Sequence, residues 1–287
     1  MSTAKIKEGG VFVPLGGGGG GGYQRPSDWL TLPTLADTDS KFVGLFAVYD
    51  NGSNFVALSA TGAYTVDWGD GSSPVNMSSG ATAYHNFTYT DLDSSTDCSR
   101  GYRQAIITVT PQGATWTGVN LGLKHNQAGL GSYVSAWLDV AVAGSTLTSL
   151  TLGGSGIYPR MLEQFNWPGT NSVTNMNSMF STCSSLQTVP DIDTSSVTNM
   201  ANMFQNCTSL QTVPDLDTSS VTNMNNMFQS CTSLQTVPDL DTSSVTSMGL
   251  MFLLCTSLQT VPALDLSAVT AATTNMFGSC PSLAAAP

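Results

Sequence analysis

A 24-residue repeat fills the C-terminal part of the sequence and constrains the fold more than any other feature. Its phenylalanine column runs at a step of 24 residues through Phe252, and the last member follows 25 residues later. A cysteine column and a leucine column keep the same step. The three columns are Phe180, Phe204, Phe228, Phe252 and Phe277; Cys183, Cys207, Cys231, Cys255 and Cys280; and Leu186, Leu210, Leu234, Leu258 and Leu283. A fixed period of this size is typical of a solenoid, in which each unit packs on its neighbours. We therefore expect residues 171–287 to stack into one continuous apolar core.

Within the unit, two short parallel strands and one helical turn are predicted. Leu186 and Val189 form an inward L-x-x-V strand that Pro190 ends, because proline donates no ladder hydrogen bond. Residues 197–200 (V-T-N-M) predict a second strand. The apolar spacing over residues 200–207 predicts a single α-helical or 3₁₀ turn.

The pattern V-T-N-M-x-x-M-F-x-x-C-x-S-L-x-x-V-x-x-L-D resembles the BspA-like leucine-rich repeat, over residues 145–287 or so. Residues 147–152 (L-T-S-L-T-L) are then a degenerate first unit, and residues 114–170 a bridge and N-terminal cap. Phe165 and Trp167 are expected to be exposed aromatics of that cap, which either pack within it or form a contact patch. The resemblance implies a surface-exposed binding or adhesion module rather than an enzyme.

Residues 40–113 predict a β-sandwich. Strands are expected over residues 42–49, 54–59, 63–68, 84–87 and 102–111, and Gly69-Asp70-Gly71 is a hairpin signal. The motifs Y-T-V-D-W-G-D-G, H-N-F and the final I-I-T-V-T strand are similar to the PKD-type immunoglobulin-like domain. The expected fold class is therefore mainly β, with an N-terminal immunoglobulin-like sandwich followed by a leucine-rich-repeat solenoid.

Residues 1–39 are interpreted as a glycine-rich leader. Residues 16–22 are seven consecutive glycines, which form no core. The segment that follows carries large apolar side chains without periodicity. It either packs on its own downstream domain or anchors the chain in a neighbouring subunit. The candidate anchor residues are Trp29, Leu30, Leu32 and Leu35.

Charge argues against several classes of function. The net charge is −11, and after Arg160 there is no Lys or Arg while seven Asp remain. Nucleic-acid binding is therefore not expected. No apolar run reaches the ~18 residues of a membrane helix, so no membrane insertion is expected. The N-terminus lacks a basic-then-apolar secretion signal.

Candidate chemical sites are few, and we expect no catalytic residue and no metal centre. Asp67 and Asp70 are the one tempting carboxylate pair, but Asp in a W-G-D-G turn caps backbone amides. The five in-register cysteines are interpreted as buried free thiols. The repeats also carry two columns of Asp residues. Their carboxylates are expected to accept hydrogen bonds from turn amides or, alternatively, to bind calcium. No other cofactor is expected. These columns are Asp191, Asp215 and Asp239, and Asp193, Asp217, Asp241 and Asp265.

The leading hypothesis is a non-enzymatic phage virion surface protein, either a tail-fibre or baseplate accessory or a capsid decoration. The alternatives are a secreted or cell-surface bacterial adhesin and, more distantly, a surface glycan hydrolase. Partners would be other virion proteins through the leader, a host-surface protein or glycan through the repeats, and further copies in an oligomeric assembly. The outward side chains of the last repeats are the candidate partner-binding residues: Gln235, Thr236, Gln259 and Thr260.

Overall fold

The computed structural model describes residues 24–36, 38–50, 54–113, 116–126, 133–153, 157–271, 273 and 275–284. The glycine run at 16–22 lies outside these residues. The described part is mainly β, as expected from the sequence, and its only helices are the 3₁₀ turns Tyr89–Asp91 and Ser94–Thr96. No helix in it has the length and apolar character required to cross a bilayer.

The described residues form twelve strands, and those predicted before residue 113 appear within one or two residues of their expected bounds. They are β1 (Lys41–Val48), β2 (Phe55–Thr61), β3 (Tyr64–Asp67), β4 (Val75–Met77), β5 (Thr82–Asn86), β6 (Arg103–Pro111), β7 (Gly118–Asn120), β8 (Tyr133–Val134), β9 (Trp137–Ala143), β10 (Ser149–Thr151), β11 (Ile157–Tyr158) and β12 (Gln164–Asn166).

Two larger sheets hold most of these strands. One has six strands in the order β12-β9-β1-β6-β3-β4, and the other has four in the order β10-β7-β2-β5; β11 and β8 form a separate pair. Strands β7, β9, β10 and β12 come from the segment interpreted as a bridge. Both sheets therefore contain strands from each side of the domain boundary predicted at residue 113. Local alternation of side chains predicts where a strand lies, but it does not predict which strand it pairs with.

One apolar core joins the sheets to the repeats. Inward side chains of both sheets, such as Phe46 and Leu58, belong to the same buried cluster as the repeat phenylalanines. Trp137 packs edge-on against Phe46, with ring centroids 5.2 Å apart. The opposite face of the six-stranded sheet packs against the leader in two smaller clusters, one of which includes Trp29.

In the repeats, equivalent residues 24 positions apart are hydrogen-bonded to one another. Thr198 N donates to Thr174 O at 2.8 Å, and Thr222 N donates to Thr198 O at 2.9 Å. The predicted V-T-N-M strand is reduced to isolated parallel bridges, which link Asn175, Asn199, Asn223 and Ser247 in series. The predicted L-x-x-V strand is reduced further, mainly to single bonds between successive glutamines, such as Gln211 N to Gln187 O at 3.1 Å.

The degenerate first unit is present, but in a different alignment. Thr148 donates from both its N and its Oγ1 to Thr117 O, at 2.9 and 3.1 Å. Thr198 makes the same pair of bonds to Thr174 O. Residues 147–150 therefore correspond to V-T-N-M rather than to the leucine strand, because the hydrogen bonds follow the threonine and not the leucine spacing.

The helical turn predicted over residues 200–207 is wrong. Asn202 and Asn206 adopt left-handed conformations with φ of 57° and 60°. Every second N–H is consequently directed out of the turn and donates to the next repeat, as Phe204 N does to Met227 O at 2.9 Å. The intervening N–H groups close turns within the unit, as Met203 N does to Met200 O at 3.2 Å. The apolar spacing that suggested a helix arises because these tight turns also point Met203 and Phe204 inward.

Candidate functional site

A column of stacked phenylalanines forms the centre of the repeats. The centroids of Phe204 and Phe228 are 5.6 Å apart and those of Phe228 and Phe252 are 5.5 Å apart, with nearly parallel planes. Both methionines of each of the first four units, and the single Met276 of the fifth, are buried beside this column. Because successive rings are nearly superimposed, the outward side chains of each unit also lie above one another, and the surface repeats with the core.

The cysteine column lies beside the phenylalanines. Cys207 Sγ donates to Phe180 O and Cys231 Sγ donates to Phe204 O, both at 3.0 Å. All six cysteines of the chain are free. Burial raises the pKa of Cys207 and Cys231 well above the usual value for a thiol. These thiols thus act as neutral donors that link one unit to the one before it.

The inner acidic column is held by turn groups. Asp217 Oδ1 accepts from Ser219 N at 3.1 Å and from Ser219 Oγ at 2.7 Å. Asp241 accepts the same two bonds from Ser243, at 3.0 and 2.6 Å. The hydroxyl and N–H of these serines lower the pKa of both carboxyls, although the next aspartate in the column opposes the shift. The turn-amide interpretation is confirmed for this column.

The outer acidic column, Asp191, Asp215 and Asp239, is exposed. No group of three or more metal-binding side chains occurs within the described ranges. Because no Lys or Arg follows Arg160, the charged side chains of the repeats are all acidic and lie in these two columns.

The four candidate partner-binding residues lie together in two adjacent repeats and are all exposed. Gln259 N donates to Gln235 O at 2.9 Å, and Thr236 and Thr260 form a parallel bridge. Backbone pairing therefore holds the two Gln-Thr pairs in register, with their side chains facing solvent. Their role in binding a partner stays a prediction.

The exposure expected of Phe165 and Trp167 is wrong. Their exposed fractions are 2% and 1%. Phe165 lies in β12 and packs edge-on against Phe180, with centroids 4.9 Å apart. Of the two alternatives predicted from the sequence, the rings therefore pack within the fold and do not form a contact patch. They extend the phenylalanine column into the six-stranded sheet. Sequence reasoning missed this because the partner of β12 is β9, 25 residues earlier in the chain.

The leader residues pack on their own chain. Trp29 and Leu35 are buried, while Leu30 and Leu32 are half-buried against the outer face of the six-stranded sheet. Trp29 Nε1 donates to Tyr102 Oη at 3.0 Å. The anchor interpretation of these four side chains is therefore not supported, because the area they would offer a neighbouring subunit is largely covered.

A partly buried ion pair holds the leader in place. Arg25 Nε donates to Asp139 Oδ2 at 3.0 Å in the middle of β9. Burial raises the pKa of Asp139, and the hydrogen bond and charge of Arg25 oppose that shift. Gln104 adds bonds to the backbone on either side of Trp29. Sequence analysis did not single out Arg25 or Asp139, and the only available signal was an acidic residue inside an otherwise apolar strand.

The carboxylate pair at residues 67–71 is structural. Asp67 Oδ1 accepts from Gly69 N at 3.0 Å, and Asp70 Oδ1 accepts from Ser72 N at 3.0 Å. Asp70 Oδ2 lies 2.6 Å from His85 Nε2, and the His85 ring stacks on Trp68. Both aspartates cap backbone amides, as expected. The unforeseen feature is His85, which ties this turn of one sheet to β5 of the other.

The fourth repeat departs from the others in a way that sequence analysis overlooked. Leu250 and Leu254 occupy left-handed positions, with φ of 58° and 64°, where the second repeat has asparagine. The side chain of Leu254 is 41% exposed. A leucine at such a position is strained as well as exposed. The signal was present in the sequence as a break in two polar columns.

Comparison with protein families finds one similarity. Residues 174–286 match the family described as "Mycoplasma protein of unknown function, DUF285". The match covers the repeats and less than half of the chain. No curated protein and no solved structure matches.

Proposed function

We propose that this chain is a non-enzymatic surface protein that binds a partner through its repeats. The observation that carries the proposal is the register of the repeats: stacked rings and inter-repeat hydrogen bonds fix equivalent outward side chains in rows. Such a surface offers several identical contacts at a regular spacing, which favours binding to an extended or repetitive partner.

In structural terms, we assign the repeats to a BspA-like leucine-rich-repeat solenoid and the preceding sheets to a PKD-type sandwich. The bonds between residues 24 positions apart and the shared core support the first assignment. The match to the DUF285 family over residues 174–286 supports a repeat protein of that group. The antiparallel pairing of β1 with β6 and of β2 with β5 supports the second.

The proposed location is the surface of a phage virion, in the tail or as a capsid decoration. The low content of charged residues and the joining of two modules that resemble extracellular interaction domains support this location. A bacterial surface adhesin is the second candidate, and one observation favours it: the matched family is described from Mycoplasma, which is a bacterium.

A binding experiment tests the role of the repeats. The labelled full chain is incubated with candidate host cells, beside a variant in which Gln235, Thr236, Gln259 and Thr260 are all alanine. If each lost contact contributes ~0.5–1 kcal/mol, the variant binds at least about tenfold more weakly. A control replaces the exposed Ser220 and Ser244 with alanine and retains binding. Equal binding by all three proteins would refute the assignment of these rows.

Location is tested by mass spectrometry of purified phage particles and of the bacterial cell envelope from the same culture. A fixed copy number per particle supports the virion assignment. Recovery only in the cell envelope, with none in particles, would overturn it in favour of an adhesin.

A further inference from the structure

A shallow groove of about 190 Å³ lies on the four-stranded sheet, away from the core it shares with the six-stranded sheet. The side chains directed away from that core come from β2, β7 and β10. The inward residues of the same strands, Val119 and Leu150 among them, belong to the core cluster. The groove is lined by Ser59, Ala60, Thr61, Gly118, Val119, Asn120, Ser149 and Thr151.

Gly118 forms the floor of this groove. A Cβ at this position would meet Ser149 Oγ at 2.5 Å and Thr61 Oγ1 at 3.2 Å. Two hydroxyls from neighbouring strands therefore converge over a position where any larger residue would displace them. The register explains the convergence, since Gly118 pairs with Thr61 on one side and with Ser149 on the other.

The polar side chains of the groove are available to a ligand. Among the described residues, the hydroxyls of Ser59, Thr61, Ser149 and Thr151 have no hydrogen-bond partner. Asn120 uses its Oδ1 to accept from Gly122 N at 2.9 Å, which orients the amide and leaves its NH₂ free to donate. The groove thus offers several donors and acceptors from three adjacent strands.

An exposed aromatic ring lies beside the groove. Tyr84 in β5 pairs with Ala57 and does not itself line the groove: it lies about 8 Å from Ser59 at one end, and roughly 16 Å from Gly118, on the same face of the sheet. It is one of the few large side chains that are strongly exposed, at 41%. His125 packs edge-on against its ring, with centroids 5.3 Å apart, and limits its rotation.

We propose that this groove binds a neutral saccharide. No charged side chain lines it, so neither an anionic nor a cationic ligand would find a counter-charge. An apolar ligand would bury the hydroxyls without partners, which is unfavourable. A sugar ring instead offers paired hydroxyls to the floor, and a further ring of the same glycan brings an apolar C–H face to Tyr84 beyond the Ser59 end. The volume is below the roughly 300–1,000 Å³ of drug-sized pockets, so the groove accommodates a single sugar ring of a longer glycan.

The site is independent of the rows proposed to bind a partner, and its test uses different residues. The ¹⁵N-labelled full chain is titrated with glucose, galactose, mannose, N-acetylglucosamine and, as a charged comparison, glucuronate, while amide shifts are followed by NMR. At least one neutral sugar is expected to give saturable shifts at Gly118 and its neighbours Asn120 and Ser149. Saturable shifts elsewhere only, or stronger binding of glucuronate than of every neutral sugar, would overturn the proposal.

Variants connect any binding to the groove. Gly118→Ala places a methyl group between the two converging hydroxyls and is expected to weaken binding at least about tenfold. Gly113→Ala is the matched control, because a Cβ there meets nothing within 4 Å and binding should be unchanged. With a linear neutral oligosaccharide of the sugar that binds, Tyr84→Phe keeps the stacking ring and should bind within about twofold of the parent, whereas Tyr84→Ala should lose about two- to tenfold.

Thermal unfolding of each variant separates loss of binding from loss of fold. If Gly118→Ala is unfolded, Ser149→Ala takes its place. It removes one converging hydroxyl at an exposed position, and about threefold or greater weakening is expected. Full-strength monosaccharide binding by folded Ser149→Ala protein, together with full-strength oligosaccharide binding by folded Tyr84→Ala protein, would refute the site.

Discussion

Truncation of one ring in the phenylalanine column tests how the repeats are held together. Phe228 is fully buried and lies between Phe204 and Phe252, at centroid distances of 5.6 and 5.5 Å. Phe228→Ala removes the buried ring and leaves a cavity, for which ~3–5 kcal/mol is typical. Two stacked neighbours lose their contact as well, and each such pair contributes ~0.5–1.5 kcal/mol beyond the buried area. We therefore expect a destabilisation toward the upper end of that range, about 5 kcal/mol.

The location of the loss is as informative as its size. A repeat array is stabilised mainly by contacts between neighbours, so the damage should concentrate on the units adjoining residue 228. Hydrogen exchange at the inter-repeat donors Phe204 and Phe228 should accelerate strongly. Exchange at Ile107, in the middle of β6, should change least. Urea unfolding gives the total free energy, and Ser220→Ala, at an exposed position of the same repeat, is the surface control.

Two outcomes would refute this reasoning. A loss of less than ~1 kcal/mol would show that the column does not carry the core. A uniform gain in exchange rate from β6 to the last repeat would show that the chain unfolds as one unit, and that neighbour contacts do not act separately.

Three further predictions concern single side chains. Leu254 has a left-handed backbone conformation (φ 64°), which asparagine adopts with less strain. Leu254→Asn should therefore raise the free energy of unfolding, measured in urea, by ~0.5–1 kcal/mol. An unchanged or lower free energy would contradict the strain argument. Partial burial alone would raise the pKa of Asp70, but the hydrogen bonds from Ser72 and His85 lower it overall. The contribution of the Asp70 carboxylate to the stability of the fold is therefore complete above about pH 4 and is lost as the pH falls through the lowered pKa. Asp70→Asn should therefore reduce stability at pH 5.5 and flatten the loss between pH 4 and 2 in urea titrations, and an unaltered acid slope would contradict this. Cys207 is buried and its pKa is raised, so iodoacetamide should modify the partly exposed Cys98 first in the native protein; equal rates by mass spectrometry would contradict the buried column.

The positions of strands were predictable where side chains alternate in polarity. Strand β6 was expected over residues 102–111 and spans Arg103–Pro111. Its inward residues, such as Ile107 and Val109, could be read from the sequence because strand periodicity is a local property. The pairing of the strands was not local. β9 lies in the segment interpreted as a bridge, and its place between β1 and β12 depends on contacts with segments far away in the chain.

The candidate surface was predictable to a similar degree. Gln235 and Thr236 were expected to face outward because their neighbours Leu234 and Val237 are apolar, and both are exposed. The aromatic residues near residue 165 were assigned to the surface because nothing in their own segment buries them. Their partner, Phe180, belongs to a different element, and only packing brings the two together.

The sequence by itself determined that the chain repeats, which columns are buried, and that its acidic turns bind their own amides. Each of these depends on residue type and spacing, which act over a few residues. Only the tertiary structure decided that the repeats continue into the sheets, that the leader lies on the six-stranded sheet through Arg25 and Asp139, and that Gly118 opens a groove beneath two hydroxyls. These features join residues that are far apart in the chain. Their geometry depends on strand pairing and core packing, which no local pattern specifies.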